Sequence, residues 1–287
     1  MKYAHFLITR FNLPKLWVKD RHGVSTQTEE WLEQRFDLFE KYCLPSIAAQ
    51  TSKNFVWLLL FWDKTPEKYK KLNEELQAKY PFCKPCYLDE QQTKDFAAYC
   101  SKIITGMTAA DTDCVITTRL DNDDSFAVDT MEYIESFTEK LQDKGPCFIS
   151  LLHGIQYYPK FNISVVVTDW ETNHFLSYVE PFTPDLKTVY CSDHTKILQH
   201  HTVKFAGREK EMWLEVCHER NVGNAPHIWW TFKPLKHGFD TNRFKLAVPP
   251  SPLRSNRLKF RLFYVVPVAL SRGLKHRVFN KICRLFK

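Results

Sequence analysis

Residues 114–126 read CVITTRLDNDDSF and contain the feature that decides the fold. The first seven residues form a mostly apolar run, which predicts a buried strand. Four polar residues follow at once: Asp121, Asn122, Asp123 and Asp124. Because ligands of open α/β sheets bind beyond the carboxyl ends of strands, acidic residues at this point indicate a binding site. The alternative is an ordinary Asp-rich turn that caps the helix predicted to begin near residue 130.

The elements around this strand alternate between strands and helices, which predicts an α/β fold with a mostly parallel central sheet. The clearest further strands are predicted at residues 3–9, 55–62, 147–152 and 163–168. A capping box at Thr26 and Glu29 predicts a helix that ends before Pro45. A second helix is predicted to begin with Thr65 as its N-cap and Pro66 in its first turn.

Glycine is scarce, with eight in 287 residues, and no two glycines are closer than nine positions. Walker loops and dinucleotide-binding loops need clustered glycines, because their backbone N–H groups approach phosphate closely. Both kinds of loop are therefore excluded. A chain of this composition that binds a nucleoside diphosphate must neutralise the phosphates in another way, most simply with a metal ion.

The spacing of the aspartates suits a metal ion. Asp121 and Asp123 are two residues apart, so in extended chain their side chains lie on one face and can share a cation. Carboxylates this close repel one another unless a cation or N–H groups compensate. Carboxylates together with substrate phosphates are the usual ligands of Mg²⁺ and Mn²⁺, so either ion is the predicted cofactor.

Five blocks of sequence carry a resemblance to a known family. Asp121-Asn122-Asp123 resembles the DxD motif of glycosyltransferases with the GT-A fold. The blocks are ITRFNLP at 8–14, RFDLFEKYCLPSIAAQT at 35–51, NFVWLLLFWDKTP at 54–66, TTRLDNDDSF at 117–126 and MWLEVCHERNVGN at 212–224. Together they resemble the rhamnosyltransferase family of bacterial glycosyltransferases. The resemblance implies a GT-A-like nucleotide-sugar-binding sandwich that transfers a sugar, with rhamnose as the candidate, from a nucleotide diphosphate donor.

The resemblance also implies a metal site. Asp121 and Asp123 are expected to hold the metal ion and the donor, and Asp124 is expected to support them. A late histidine is a further metal ligand in many GT-A enzymes, and His218 has the best position for it. The alternative for His218 is a place on a helix surface. His194 is the reserve ligand.

The resemblance to GT-A enzymes also implies donor contacts from the segment after the first strand. Arg10 suits a phosphate and Asn12 suits the base or the ribose, because bidentate and amide donors match those groups. The alternative is a turn capped by Asn12 before Pro14. Arg119 is expected either to face the diphosphate or to hold the aspartates in place.

A catalytic base is needed if the reaction inverts the anomeric carbon, because a carboxylate must then deprotonate the acceptor hydroxyl. The candidates are Glu215, Glu211 and Asp193, and the first two are preferred because they flank Trp213 within the last family-like block. A reaction that retains the configuration needs no such base.

Charge divides the chain into a predicted domain at residues 1–240 and a tail at 241–287. The tail has 12 Lys or Arg and no acidic residue, whereas the preceding 240 residues have 28 basic and 33 acidic residues. Residues 274–286 place five apolar side chains on one helical face with basic residues beside it, which predicts an amphipathic helix on an anionic membrane through residues 256–287. The alternative is a terminal helix packed on the body, and nucleic acid is not expected as a partner.

The compartment follows from the cysteines and the first residues. The nine cysteines are scattered, and the Cys83–Cys86 pair has no second pair of the same spacing, so reduced, structural cysteines are expected. The apolar run in MKYAHFLITRF is too short for a signal peptide. A cytoplasmic protein, peripheral on the inner face of the cell membrane, is predicted.

The sequence as a whole predicts a metal-dependent glycosyltransferase. Its substrates would be a nucleotide-sugar donor and a saccharide or lipid-linked acceptor at the membrane surface. Two alternatives remain open: a non-catalytic, membrane-docked carbohydrate-binding protein on a GT-A scaffold, and a metal-dependent nucleotidyltransferase.

Overall fold

A computed structural model of the chain describes residues 2–16, 18–20, 23, 25–142, 145–218, 221 and 239–247. Most of the predicted tail, from residue 248 onwards, and its amphipathic helix lie outside the described residues. No helix within the described ranges is long and apolar enough to cross a membrane.

The strands lie in two sheets. In chain order they are β1 (Tyr3–Arg10), β2 (Val56–Trp62), β3 (Cys83–Leu88), β4 (Cys114–Arg119), β5 (Ser125–Phe126), β6 (Cys147–Leu151), β7 (Gly154–Tyr158), β8 (Ile163–Val167), β9 (Leu176–Pro181), β10 (Val203–Ala206) and β11 (Trp213–Val216). Each strand predicted from an apolar run is present, to within one residue at either end. Strand β3 contains Cys83 and Cys86, which are both free thiols.

The larger sheet has the strand order β10-β6-β9-β4-β1-β2-β3. All neighbours in it are parallel except β9, which runs antiparallel to both β4 and β6. The central strands are buried on both faces, which explains their near-continuous apolar sequence. The predicted α/β fold with a mostly parallel central sheet is thereby confirmed.

The helices lie between the strands and beside the sheets. In chain order they are α1 (Glu29–Leu38), α2 (Leu44–Ala48), α3 (Glu67–Lys79), α4 (Glu90–Lys94), α5 (Phe96–Met107), α6 (Thr130–Glu139), α7 (Ile197–His200) and α8 (Thr241–Phe244). A π-helical turn at Phe39–Cys43 joins α1 directly to α2.

The first helix begins later than the sequence predicts, and the helical run that it opens extends further. Its N-cap is Thr28, whose hydroxyl accepts a hydrogen bond from the Trp31 N–H, so the predicted capping box at Thr26 is wrong. The helical run also passes through Pro45, because this proline lies in the first turn of α2, after the π-helical turn. A proline needs no backbone donor at such a position and is tolerated there.

The start of α3 also differs from the prediction. Pro66 occupies the N-cap position and the Thr65 side chain does not cap the helix. Thr65 Oγ1 instead accepts a hydrogen bond of 3.1 Å from Asn12 Nδ2. The hydroxyl therefore connects the ends of β1 and β2.

The smaller sheet has the order β5-β11-β7-β8 and lies beside the end of β4. The chain crosses from the larger to the smaller sheet between β4 and β5, and again between β6 and β7. At the second crossing the Trp213 ring packs on Gly154, where an added Cβ would lie 2.0 Å from a ring carbon. Only glycine allows this approach, which holds β11 against β7.

Residues 239–247 pack on the rest of the fold although most of them lie on the tail side of the predicted division. The Phe244 side chain is completely buried, and Arg243 donates hydrogen bonds to the Glu211 carbonyl and to Asp129. The Ala247 N–H donates to the Lys41 carbonyl. This segment therefore contributes to the core at the small sheet.

Candidate active site

A cavity of about 290 Å³ lies where β4 ends. Its floor contains the turn Asp121–Asp124, which carries the chain from β4 in the larger sheet to β5 in the smaller one. Asp123 and Asp124 are almost fully buried, whereas about a third of the Asp121 side chain is exposed. Three carboxylates in one buried turn require compensation by positive charge or N–H groups.

Two arginines compensate Asp121. Arg10, at the end of β1, donates to Asp121 Oδ1 over 3.3 Å, and Arg119, at the end of β4, has a guanidinium nitrogen 3.9 Å from the same oxygen. Burial acts to raise the pKa of Asp121, but the two guanidinium groups outweigh it and the pKa lies below its ordinary value. Both arginines line the cavity.

Three other groups hold Asp123. Its Oδ2 atom accepts hydrogen bonds from Arg35 at 2.5 Å, from His218 Nε2 at 2.7 Å and from Asn221 at 3.2 Å. Burial acts to raise the pKa of Asp123, but Arg35 and His218 outweigh it, and the pKa lies well below the ordinary value. The carboxylate therefore ties helix α1 and the residues after β11 to the acidic turn.

Of the three aspartates, Asp124 has the least positive charge beside it to offset its own negative charge. One oxygen accepts from the Val216 N–H at 2.9 Å and the other lies 3.0 Å from His174 Nε2. Burial, together with the charges of Asp123 and Asp121, raises the pKa of Asp124 well above its ordinary value. Burial lowers the pKa of His174. A further positive charge would stabilise this corner of the site.

Glu215 projects into the cavity from β11. Its Oε2 atom accepts a 2.6 Å hydrogen bond from Gln156 Nε2, its register partner on β7, and Gln156 Oε1 in turn accepts from the Tyr158 hydroxyl at 3.0 Å. Burial raises the pKa of Glu215 to about 7. A carboxylate with this pKa, oriented by a neighbouring amide, suits a general base near neutral pH.

The structure brings together most of the residues singled out in the sequence. The cavity is lined by Arg10, Asn12, Arg119, Asp121, Asp123, Asp124, His194 and Glu215. His218 reaches the acidic turn through Asp123. Burial, and then Arg119 and His174, lower the pKa of His194 to about 4.

The Asn12 side chain links the ends of β1 and β2. Its side-chain oxygen accepts from the Trp62 N–H at 3.2 Å, and its amide nitrogen donates to Thr65. The side chain is 6% exposed but still lines the cavity. It therefore shapes the wall beside Arg10.

Two candidate bases lie elsewhere. Asp193 is exposed and caps a short 3₁₀ turn by accepting from the Thr195 N–H at 2.8 Å. Glu211 precedes β11 and does not line the described cavity. Of the three carboxylates, only Glu215 meets the acidic turn in this cavity.

Several residues of the site were not found from the sequence, among them Arg35, His174 and Gln156. Arg35 had a signal, because it lies four residues from both Trp31 and Phe39, on the apolar face of the predicted helix, where a charge needs a buried partner. No sequence spacing pointed to His174 or Gln156. Their partners, Asp124 and Glu215, are 50 and 59 residues away in the chain.

The residues present fit a divalent metal ion. Ligand atoms of Asp121, Asp124 and His174 all lie within 4.8 Å of one another. Within the described residues, this is the group of three such side chains that could hold a metal ion. Two carboxylates and an imidazole are suitable ligands of Mn²⁺. The set differs from the predicted one, Asp121, Asp123 and His218, because the Asp123 carboxylate is already engaged by Arg35. Both sets share Asp121.

A family model described as "Putative rhamnosyl transferase" matches residues 5–228. The chain belongs to this family. The match covers all five blocks on which the resemblance was based, so the predicted family and the predicted class of protein, a glycosyltransferase, are confirmed. No curated protein matches the chain.

Among solved structures, the chain is similar to S. aureus TarS 1-349, with 10% identity, a TM-score of 0.40 and coverage of 75% of this chain. It spans 60% of that TarS chain. TarS 1-349 in complex with UDP is similar at 11% identity and a TM-score of 0.39, with 76% of this chain and 61% of that chain covered. A putative nucleotide-diphospho-sugar transferase from Desulfovibrio desulfuricans G20 shares 10% identity, with a TM-score of 0.37 and coverage of 77% and 84%.

Proposed function

We propose that this protein is a metal-dependent glycosyltransferase that moves a sugar from a nucleoside diphosphate to a saccharide or lipid-linked acceptor. The observation that carries the proposal is the acidic turn at the carboxyl end of β4, which lies in a cavity between two arginines and a carboxylate of raised pKa. Membership of the family supports the reaction class. The family description makes rhamnose the first sugar to test.

Arg10 and Arg119 are the proposed diphosphate contacts. Both guanidinium groups lie beside the same oxygen of Asp121 and both line the cavity. Guanidinium groups match phosphate oxygens in geometry and stay charged at any working pH. Asn12, on the same wall, is the proposed neighbour of the ribose or the base.

Asp121, Asp124 and His174 are the proposed metal ligands, with Asp121, Asp123 and His218 as the competing set. Mn²⁺ or Mg²⁺, when bound, supplies positive charge to the diphosphate that departs from the sugar. The chain's own contribution is a turn whose carboxylates are fixed before the donor arrives. Arg35 and His218 hold Asp123, and the Val216 N–H holds Asp124.

Glu215 is the proposed base for an inverting reaction. It lines the same cavity as the acidic turn, and Gln156 fixes the direction of its carboxylate. With a pKa of about 7, it can accept the proton of an acceptor hydroxyl at neutral pH. The proton leaves the hydroxyl as its oxygen bonds to the anomeric carbon and the nucleoside diphosphate departs.

The experiment that tests the function is a panel of nucleotide sugars, including dTDP-rhamnose and UDP-sugars, with and without Mn²⁺. Thermal stabilisation is measured first, and a ligand at a hundred times its Kd adds about 2.7 kcal/mol to stability. Release of nucleoside diphosphate is measured next. Metal-dependent stabilisation followed by release supports the proposal; no stabilisation by any nucleotide sugar overturns it.

The same panel separates the alternatives. A non-catalytic carbohydrate-binding protein binds saccharide but releases no nucleoside diphosphate. A nucleotidyltransferase uses a nucleoside triphosphate and a sugar phosphate and releases pyrophosphate instead. Pyrophosphate and nucleoside diphosphate are therefore measured in parallel.

We further propose that the protein acts at the inner surface of the cell membrane through residues 256–287. The support is sequence alone: a tail without acidic residues and with an apolar helical face. Flotation with phosphatidylglycerol vesicles tests this, using full-length protein and a variant with Leu274, Val278 and Ile282 replaced by Ser. Wild type is expected to float at low salt, and the Ser variant is not. Equal flotation would contradict insertion of the helix.

A further inference from the structure

The sheet order divides the cavity into two sides. Strand β4 and the acidic turn are central, and β1 and β2 lie on the side of Arg10 and Asn12. On the other side lie β9, β6 and β10, with the residues that enter or leave them at the same edge. If the donor lies on the β1 side, as proposed above, this opposite wall faces the second substrate.

Trp170 is the large side chain of that opposite wall. It is half-buried and lines the cavity with His174 and Glu215. Its ring meets those of Trp213 and His174 nearly at right angles, with centroids 5.7 and 5.9 Å away. The ring thus packs against the core and also lines a cavity that holds a candidate base and a candidate metal ligand, where it can contact substrate.

The loop that carries Trp170 is fixed by a buried amide. Asn173 is completely buried, and its Nδ2 atom lies 2.6 Å from the Trp170 carbonyl, 2.9 Å from the Leu151 carbonyl and 3.1 Å from Ser150 Oγ. The Trp170 N–H donates to the Leu152 carbonyl at 3.2 Å. Both ends of the Trp170 backbone are thus tied to the end of β6.

Asp169, immediately before Trp170, has a left-handed backbone with φ of 56°. A residue other than glycine in this region is uncommon, and such conformations persist when the surroundings determine them. Together with the amide clamp, this places the indole before any ligand arrives. A pre-placed ring spends less conformational entropy on binding.

Asp169, next to Trp170 in the chain, is linked to two further polar side chains, and none of the three lines the cavity. Asp169 accepts a hydrogen bond of 3.0 Å from Arg208, which follows β10, and lies 3.5 Å from His153, which follows β6. Asp169 and Arg208 are both exposed. A saccharide ring has apolar C–H faces and a rim of hydroxyls, and an aromatic ring beside carboxylate and guanidinium groups matches both.

We propose that Trp170 is the platform on which a sugar ring of the acceptor saccharide stacks, with Asp169 and Arg208 as partners of its hydroxyl groups. The inference rests on the proposed function, because the donor must occupy the β1 side. The proposal requires that the part of the acceptor in contact with Trp170 is a sugar, whether the acceptor is a free saccharide or a lipid-linked one. The acceptor hydroxyl then approaches Glu215 from the β6 side.

The test uses full-length protein with Mn²⁺ and the nucleoside diphosphate that stabilises it best among UDP, dTDP and GDP. Saturation-transfer NMR then measures binding of methyl α-L-rhamnoside, methyl α-D-glucoside and methyl β-D-galactoside. The variants are Trp170→Leu, Trp170→Phe and Asp169→Asn, and Asn tolerates the left-handed backbone. Trp62→Leu is the matched control, because Trp62 is also half-buried but does not line the cavity.

The expected result is a glycoside bound by wild type and bound about tenfold more weakly by Trp170→Leu, with an intermediate loss in Trp170→Phe. Stabilisation by nucleoside diphosphate stays unchanged in the Trp170 variants. Trp62→Leu binds both the glycoside and the nucleoside diphosphate as wild type does. The inference is overturned if no glycoside binds wild type, or if Trp170→Leu binds glycoside normally. The inference is also overturned if Trp170→Leu loses nucleoside diphosphate binding as strongly as glycoside binding, since Trp170 would then contact the donor. Trp170-dependent glycoside binding without any nucleotide binding would instead overturn the proposed function alone.

Discussion

Arg35 of helix α1 donates a 2.5 Å hydrogen bond to Asp123 of the acidic turn, and the two side chains are only 9% and 7% exposed. Arg35 also lies under the Trp31 ring, with its guanidinium carbon 5.0 Å from the ring centroid. The pair connects the helix after β1 to the turn after β4. Because both side chains are buried, removing one of them leaves the other as a charge that water cannot reach.

Arg35→Met is therefore expected to cost about 3–5 kcal/mol of unfolding free energy, because it leaves a buried carboxylate without its main partner. Asp123→Asn should also destabilise. The double variant should cost less than the sum of the two by about 1–3 kcal/mol, since the charges in contact are lost together. Urea unfolding of the four proteins measures this coupling. Strictly additive losses would contradict a direct interaction.

The two candidate metal sets predict different effects of two histidine substitutions. If Asp121, Asp124 and His174 hold the ion, His174→Ala should weaken Mn²⁺ binding by about tenfold or more, a loss of at least about 1.4 kcal/mol. His218→Ala should weaken it less, because His218 contacts Asp123. Titration of Mn²⁺ in the presence of nucleoside diphosphate distinguishes the sets. The reverse order of effects would favour Asp121, Asp123 and His218.

Tyr190 holds the two proposed diphosphate contacts together. The guanidinium carbons of Arg10 and Arg119 lie 5.2 and 5.6 Å from the centroid of its ring. The Tyr190 hydroxyl is buried and has no hydrogen-bond partner among the described residues, so the ring rather than the hydroxyl makes the contacts. Each cation–π contact is worth about 0.5–2 kcal/mol.

Tyr190→Leu is therefore expected to weaken nucleoside diphosphate binding by about tenfold while leaving nucleoside binding unchanged. Tyr190→Phe keeps the ring and should bind as wild type does. Isothermal titration with both ligands makes the comparison. Equal loss of nucleoside and nucleoside diphosphate in Tyr190→Leu would indicate a general structural role.

The sequence predicts the parts of this site that depend on local pattern. A buried strand followed by aspartates places Asp121, Asp123 and Asp124 at a strand end, because the strand period and the sheet edge are both local consequences of the sequence. Arg10 was expected from the resemblance, as a residue that follows the first strand, and Arg119 from its place in the segment that carries the aspartates.

Contacts between distant segments could not be predicted in this way. His174 reaches Asp124 because β9 runs antiparallel between β4 and β6, and no periodicity in the sequence gives that strand its direction. The helical run that begins with α1 likewise continues through Pro45, because a π-helical turn precedes the proline. A local rule that stops helices at proline fails there, since the exception depends on the preceding turn.

Glu215 provides a test in which activity and stability change in opposite directions with pH. Its pKa is raised by burial from 4.5 to about 7. As a base it must be deprotonated, so kcat/KM of wild type should rise as the pH passes about 7. Glu215→Gln, which keeps the shape and can still accept from Gln156, should lose nearly all transfer at every pH while still binding nucleoside diphosphate.

The stability change has the opposite sign. Between pH 4.5 and about 7 folded Glu215 keeps a proton that the unfolded chain has released, so wild type loses stability as the pH rises through this window. Glu215→Gln does not titrate, and its unfolding free energy relative to wild type should therefore increase by about 3 kcal/mol across the window. Urea unfolding of both proteins at pH 4.5, 6 and 7.5 measures the difference, in which the contributions of titrating groups that do not interact with Glu215 cancel. A difference that stays constant with pH would mean that Glu215 is ionised throughout, and a Glu215→Gln protein that still transfers sugar would rule it out as the base.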